Sequence, residues 1–249
     1  HQIDARFITV LHLITESTLS KLAPEALNKF ISSAPERLLK SFARQLGHLH
    51  DSDRARDIVG SWLGAGGRLG NFARLTNAEL AGFRHVAPVD PQGALAAIRR
   101  SVDELPARKG APGLRSADDA ASTLRSIAYK EEHFRDAAFI LAHFHLLQNS
   151  KNVNDNICGN FQELFWITLS GTQTDTDGRI AVIDELLAQP SSRLCECGLE
   201  ALAAMLKCQL FSSSHQFSFG AHPRDFGWIP STLDEQRDCE RPAYPTLLT

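Results

Sequence analysis

Apolar residues recur along this chain at spacings of three and four, the signature of amphipathic helices. Leu38, Phe42, Leu46 and Leu49 fall on one stripe, opened by a capping box of Ser33 and Glu36 with Pro35 in the first turn. Asp51 or Ser52 starts a second helix carrying Ile58, Val59, Trp62 and Leu63. Thr76 and Glu79 repeat the capping box before Leu80 and Phe83, and Asp90-Pro91 opens a helix with Leu95, Ile98, Val102 and Leu105 on its stripe.

After residue 115 the helical segments come at short intervals. Ser116 and Asp119 cap one bearing Leu124 and Ile127, and the next carries Phe134, Ala137, Leu141, Phe144 and Leu147. Ile157, Phe161, Leu164 and Phe165 define a third, for which Ser170-Gly171-Thr172 is the expected end, Gly171 suiting a left-handed residue. A fourth runs from about Asp177 with Ile180, Ile183 and Leu187, stopping at Pro190. The fifth places Cys195, Leu199, Leu202 and Leu206 on one stripe.

Alternating, strand-like patterns are confined to FITVLHL near the start and HQFSFGA near residue 218. The expected class is therefore all-α, an irregular antiparallel helical array of bundle or solenoid type. A fixed-period repeat is not visible. ELPARKGAPGLRS combines Pro, Gly and basic residues, so residues 106–115 are the expected linker between subdomains 1–105 and 116–230. Within the second, FSSSHQFSFGAHPRDFGWIP (211–230) has no helical period and is expected to be a non-helical aromatic and glycine-rich capping loop. Residues 231–249 form an irregular tail.

Composition narrows the class without naming an activity. A length of 249 residues with 43% hydrophobic and 22% charged residues fits an ordinary globular protein. The formal net charge of −3 disfavours nucleic acid as partner, although Arg54, Arg56, Arg68, Arg74 and Arg84 would have to be tested as a cluster. The apolar runs are short and the first residues lack a cleavage signal, so no membrane span or export is expected. Five cysteines without a disulfide-like spacing point to a reducing cytoplasm. A start at His1 rather than Met, in mid-pattern, is read as a fragment of something longer.

Four constellations invite chemistry. GAGGRLG lacks the Gly-Lys-Ser/Thr ending that grips phosphate and reads as a plain loop. TQTDTDGRIAVID resembles part of a calcium loop but has Gln173 and Asp184 where the first acid and the long bidentate Glu belong, so a helix-capping turn is expected. Cys195, Cys197, Cys208 and His215 are zinc-ligand types, yet residues two apart on a helix diverge, and Cys195 is expected as a small buried hydrophobe. His48/His50 and His143/His145 share that divergence, with His50-Asp51 read as capping between two helices. No catalytic or metal residue is assigned from these patterns.

The strings FQELFWITLSGTQTDTDGRIAVIDELLAQ and CGLEALAAMLKCQLFSSSHQFSFGAHPRDFGWIP resemble a segment of large bacterial signal-transducing P-loop NTPases of the STAND type, many of them linked to anti-phage defence. FRHVAPVDPQGALAAIRRS is similar to the part just after their nucleotide-binding core. The resemblance implies a helical, non-catalytic scaffold or sensor region. ATP and magnesium would be bound by a domain outside these residues, and the partner would be a protein or another domain of the same chain. It also marks Phe219, Arg224, Asp225, Phe226 and Trp228 as partner-binding or structural-cap residues, with His222 where a basic residue is usual and Pro223 replacing a small polar one. The alternative readings are a hydrolase whose site is assembled from distant His and acidic residues, and a nucleic-acid-binding helical module.

Overall fold

The computed structural model describes residues 36–104, 117–147, 156–207 and 218–230. Among them are nine α-helices, one 3-10 turn and a hairpin of two-residue strands, so the fold is all-α. The helices are α1 (Glu36–Leu46), α2 (Asp53–Leu63), α3 (Asn77–Val86), α4 (Pro91–Glu104), α5 (Ala117–Ile127), α6 (Glu131–Leu147), α7 (Asn156–Glu163), α8 (Thr176–Leu187) and α9 (Ser192–Met205). The strands are β1 (Ser218–Phe219) and β2 (His222–Pro223). None of the described helices is long and apolar enough to cross a membrane.

The described residues divide into two compact units, one of 36–103 with 219–222, the other of 104, 117–147, 156–207, 218 and 223–230. The expected 106–115 linker lies outside the described residues, as do Ser33, FITVLHL, residues 211–217 and the tail 231–249. Residues 219–222 of the expected capping loop group with the first unit.

In the first unit, α1 packs on α3. Ser52 caps α2 by accepting the Ala55 amide, and Ile58, Val59, Trp62 and Leu63 are all buried. The Thr76–Glu79 capping box forms reciprocally at α3. Of the stripe expected on α1, Leu46 and Leu49 are buried, but Leu39 and Ala43 also face the core, whereas Leu38 is half exposed. Ala43 and Leu39 face Gly82 of α3, where an added Cβ would lie 3.7–4.0 Å from them in ordinary contact. Arg100 of α4 donates to the carbonyls of Gly70 and Leu63, and Ser101 accepts the Ala73 amide. The glycine-rich segment 64–70 is thus a turn fastened to α4.

In the second unit, α5 packs on α6 and α7, α8 on α9, and α6 also meets α7, α8 and α9. Phe134, Ala137, Leu141 and Phe144 of α6 are buried as their period predicts, with Phe134, Phe161 and Phe165 in edge-to-face contact. Two expectations fail here. Helix α7 ends at Glu163, well before Gly171, whose φ of +70° serves a later extended segment. On α9 the buried stripe is Leu194, Cys197, Gly198, Ala201, Leu202 and Met205, while Leu199 and Leu206 are exposed and Cys195 is only partly covered. A Cβ on Gly198 would stand 3.0 Å from the Leu187 side chain, so the bare backbone of α9 seats against α8.

Candidate functional site

The site grows from the segment that joins α7 to α8. The amides of Leu164, Phe165 and Trp166 still bond three residues back, closing α7, but residues 167–175 then cross the second unit without helical hydrogen bonds, so their polar groups need partners elsewhere. Thr172 turns its hydroxyl to the Ala128 carbonyl at 2.7 Å, and the Gln173 amide donates to the Tyr129 carbonyl at 2.7 Å. Asp175 then caps α8 by accepting the Gly178 amide at 2.8 Å, which is the capping turn expected in place of a calcium loop.

Residues 223–230 lie on this segment as a strap. The Gly171 amide donates to the Phe226 carbonyl at 3.0 Å and the Trp228 amide to the Thr172 carbonyl at 2.7 Å, forming a short parallel bridge. Gly227 is required twice over. Its φ is +82°, and a Cβ there would fall 2.1 Å from the Thr172 oxygen.

Side chains lock the strap at both ends. Asp225 accepts the Tyr129 hydroxyl at 3.0 Å and the Gly227 amide at 2.8 Å, the second an Asx-type turn. Arg224 lies 4.8 Å over the Tyr129 ring. Burial pushes its guanidinium down to about 10, with Tyr129 working the other way. Burial, and then the bond given to Asp225, raise the Tyr129 phenol above its ordinary range. Trp228 receives Arg179 at 5.6 Å from its ring centroid.

Arg179 is the residue that sequence reasoning missed. It is fully buried on the core face of α8 with Val182, Ile183 and Leu186. Its guanidinium donates to the Trp166 carbonyl and, at 3.0 Å, to the Ser170 hydroxyl. Nearby, buried Arg125 of α5 pairs with Glu163 of α7 and reaches the Ser170 carbonyl. Burial pulls Arg125 below its ordinary value, opposed by the charge and hydrogen bond of Glu163. The only sequence signal for Arg179 was its position in the helical period three before Val182, where the eye discounts a cation.

The five expected residues therefore separate. Arg224, Asp225 and Trp228 hold the strap in place. Phe226 and Ile229 are 42% and 55% exposed. Phe219 groups with the first unit. Of the arginines weighed for nucleic acid, Arg56 pairs with Asp53 and Arg68 with Glu79, so neither is a bare phosphate contact.

A second grouping lies on α6, α7 and α9. One donor atom each from His145, Cys158 and Glu200 come within 4.8 Å of one another. The ring of His145 stacks on Phe161, 6.2 Å between centroids. Buried Cys197, beside them, keeps its proton: burial first, then the charges of Glu200 and Glu196, push its thiol up to about 12. The sequence pairs weighed for metal, Cys195/Cys197 with Cys208 and His215, are not these residues. Cys208 and His215 lie outside the described residues.

Comparison with protein-family models, with curated proteins and with solved structures finds no match to this chain.

Proposed function

We propose that this chain is a non-catalytic helical scaffold or sensor segment that docks against a protein partner or another domain of a larger P-loop NTPase. The observation carrying the reading is the division of labour in the strap. Its polar residues are consumed in fixing the backbone, which leaves Phe226 and Ile229 displayed on a rigid support. Aromatic and aliphatic side chains held this way lose little entropy on binding and suit a contact surface. The resemblance of residues 161–230 to signal-transducing NTPases supplies the larger setting, with nucleotide bound elsewhere and this segment repositioned in response. A cytoplasmic, defence-related role belongs to the same proposal.

A photo-crosslinking residue placed at position 226 of the gene product, in its own host, tests the idea. One reproducible protein or domain should be captured, and Ile229→Asp should abolish the capture while leaving the fold unchanged by circular dichroism. Tight ATP binding by the 249-residue chain alone would sink the proposal.

The hydrolase alternative has one observation in its favour: a thiol, an imidazole and a carboxylate from three helices do come together at His145, Cys158 and Glu200. Those three residue types are equally the donors of a metal site.

A further inference from the structure

We propose that His145, Cys158 and Glu200 form a mononuclear site for a borderline-soft divalent cation, Zn²⁺ by its donor set, with water in the fourth position. The inference does not depend on the partner-binding reading.

The donor chemistry is mixed in the way zinc accepts. Thiolate sulfur, imidazole nitrogen and carboxylate oxygen are its protein ligands, whereas calcium or magnesium would call for oxygen throughout. Tetrahedral zinc holds its ligand atoms about 3.3–3.6 Å apart. Here all three donors lie within 4.8 Å of one another, and His145 Nε2 and Glu200 Oε2 are 3.0 Å apart. Small rotamer adjustments therefore close the triangle, with no movement of a helix required.

The His145–Glu200 contact has the character of two ligands rather than of a finished hydrogen bond. Oε2 of Glu200 is buried and has no hydrogen-bond partner of good geometry among the described residues, although Nε2 is at contact distance. A cation between them would satisfy both atoms. Nδ1 of His145 is likewise buried without a hydrogen-bond partner, so stacking on Phe161 orients the ring.

Each ligand comes from a different helix, so a bound ion would tie α6, α7 and α9 together. The Glu200 side chain is 41% exposed although its Oε2 is buried, so the site lies close to the surface. Binding releases the Cys158 thiol proton to solvent and forms the metal–sulfur bond. Cys197 stays outside the ligand set, its sulfur 4.0 Å from the Ala142 carbonyl oxygen.

The test uses the 249-residue chain stripped with chelator, then titrated with Zn²⁺ by calorimetry and with Co²⁺ by absorption. One equivalent of each should bind, and Co²⁺ should show a sulfur-to-metal charge-transfer band. Cys158→Ser should remove that band, and His145→Ala and Glu200→Gln should each weaken Zn²⁺ at least ten-fold. Circular dichroism of the metal-free variants provides the folding control. Zn²⁺ should also protect Cys158 from alkylation in peptide maps. Failure of stoichiometric binding overturns the proposal. So does binding that survives in the Cys158→Ser/His145→Ala double variant, which would place the ion on other residues. Rapid alkylation of Cys158 that Zn²⁺ does not slow also overturns it and favours the thiol-nucleophile reading.

Discussion

The hydroxyl of Tyr129 donates to Oδ1 of Asp225 at 3.0 Å, and the same oxygen accepts the amide of Gly227 at 2.8 Å. Residues far apart in sequence thereby fix both the place of the strap and its internal turn. Tyr129→Phe removes the first bond together with the long contact from Gln173 Nε2 at 3.5 Å, while Asp225→Ala removes the Tyr129 and Gly227 bonds. Each should destabilise the second unit by about 1–2 kcal/mol, with a coupling of about 1 kcal/mol in the double-mutant cycle. Urea unfolding followed by Trp fluorescence reports it, and strictly additive effects would show that the bond does not hold the strap.

Arg179 should be the least replaceable residue of this region. Removing its guanidinium strips donors from a buried carbonyl and a buried hydroxyl, and leaves Trp228 without the cation at its face. Arg179→Met should cost about 2–5 kcal/mol. Arg179→Lys should not restore it, because one ammonium has no planar fork with which to reach two acceptors. Denaturant titration of the three proteins decides the matter; a lysine variant as stable as the parent would refute the geometric argument.

The Arg125–Glu163 pair makes a different prediction. With side chains only 5% and 15% exposed, breaking it from the acid side leaves a buried cation without its carboxylate. Glu163→Ala should lose about 3–5 kcal/mol, whereas Arg125→Met combined with Glu163→Leu should lose clearly less. Thermal unfolding of both proteins compares them, and equal losses would mean that packing volume matters more than charge.

How far the sequence could be read is clearest on α1 and α9. Helix existence followed from period and caps, as at Ser52 and the Thr76–Glu79 box, because those signals are local. The buried face did not always follow. Leu38, Leu199 and Leu206 attracted the stripe by hydrophobicity, yet the buried positions include Leu39, Ala43, Gly198 and Ala201, and on α9 the close approach of Leu187 to Gly198 accounts for the choice. Three dispersed ligands on α6, α7 and α9 have no sequence spacing to announce them, and a buried arginine contradicts the usual polarity of its residue type. Leu199→Lys should therefore change stability by less than about 0.5 kcal/mol, while Gly198→Val, forced against Leu187, should cost about 1–3 kcal/mol. Reversed ranks in thermal unfolding would restore the stripe drawn from the sequence.

The capping box of α3 gives the acid-side prediction. Burial works to raise the Glu79 carboxyl, but hydrogen bonds from Thr76 and Arg68 and the Arg68 charge outweigh it, holding the group below its ordinary 4.5. Arg68 Nε donates to Oε1 at 2.8 Å and the Thr76 amide to Oε2 at 3.0 Å. A folded-state value below the unfolded one means that the stabilisation is complete above pH 4.5 and disappears as pH falls through the lower, folded value. Glu79→Gln should keep part of the cap, because an amide still accepts from Thr76, yet lose the charged pair with Arg68. Its stability should sit roughly 1 kcal/mol below the parent at pH 7. The two curves should converge as acid protonates the parent, once the other carboxylates common to both are subtracted. Parallel curves from pH 7 down to the onset of acid unfolding would show that Glu79 titrates alike in the folded and unfolded chains, and that the box owes nothing to its charge.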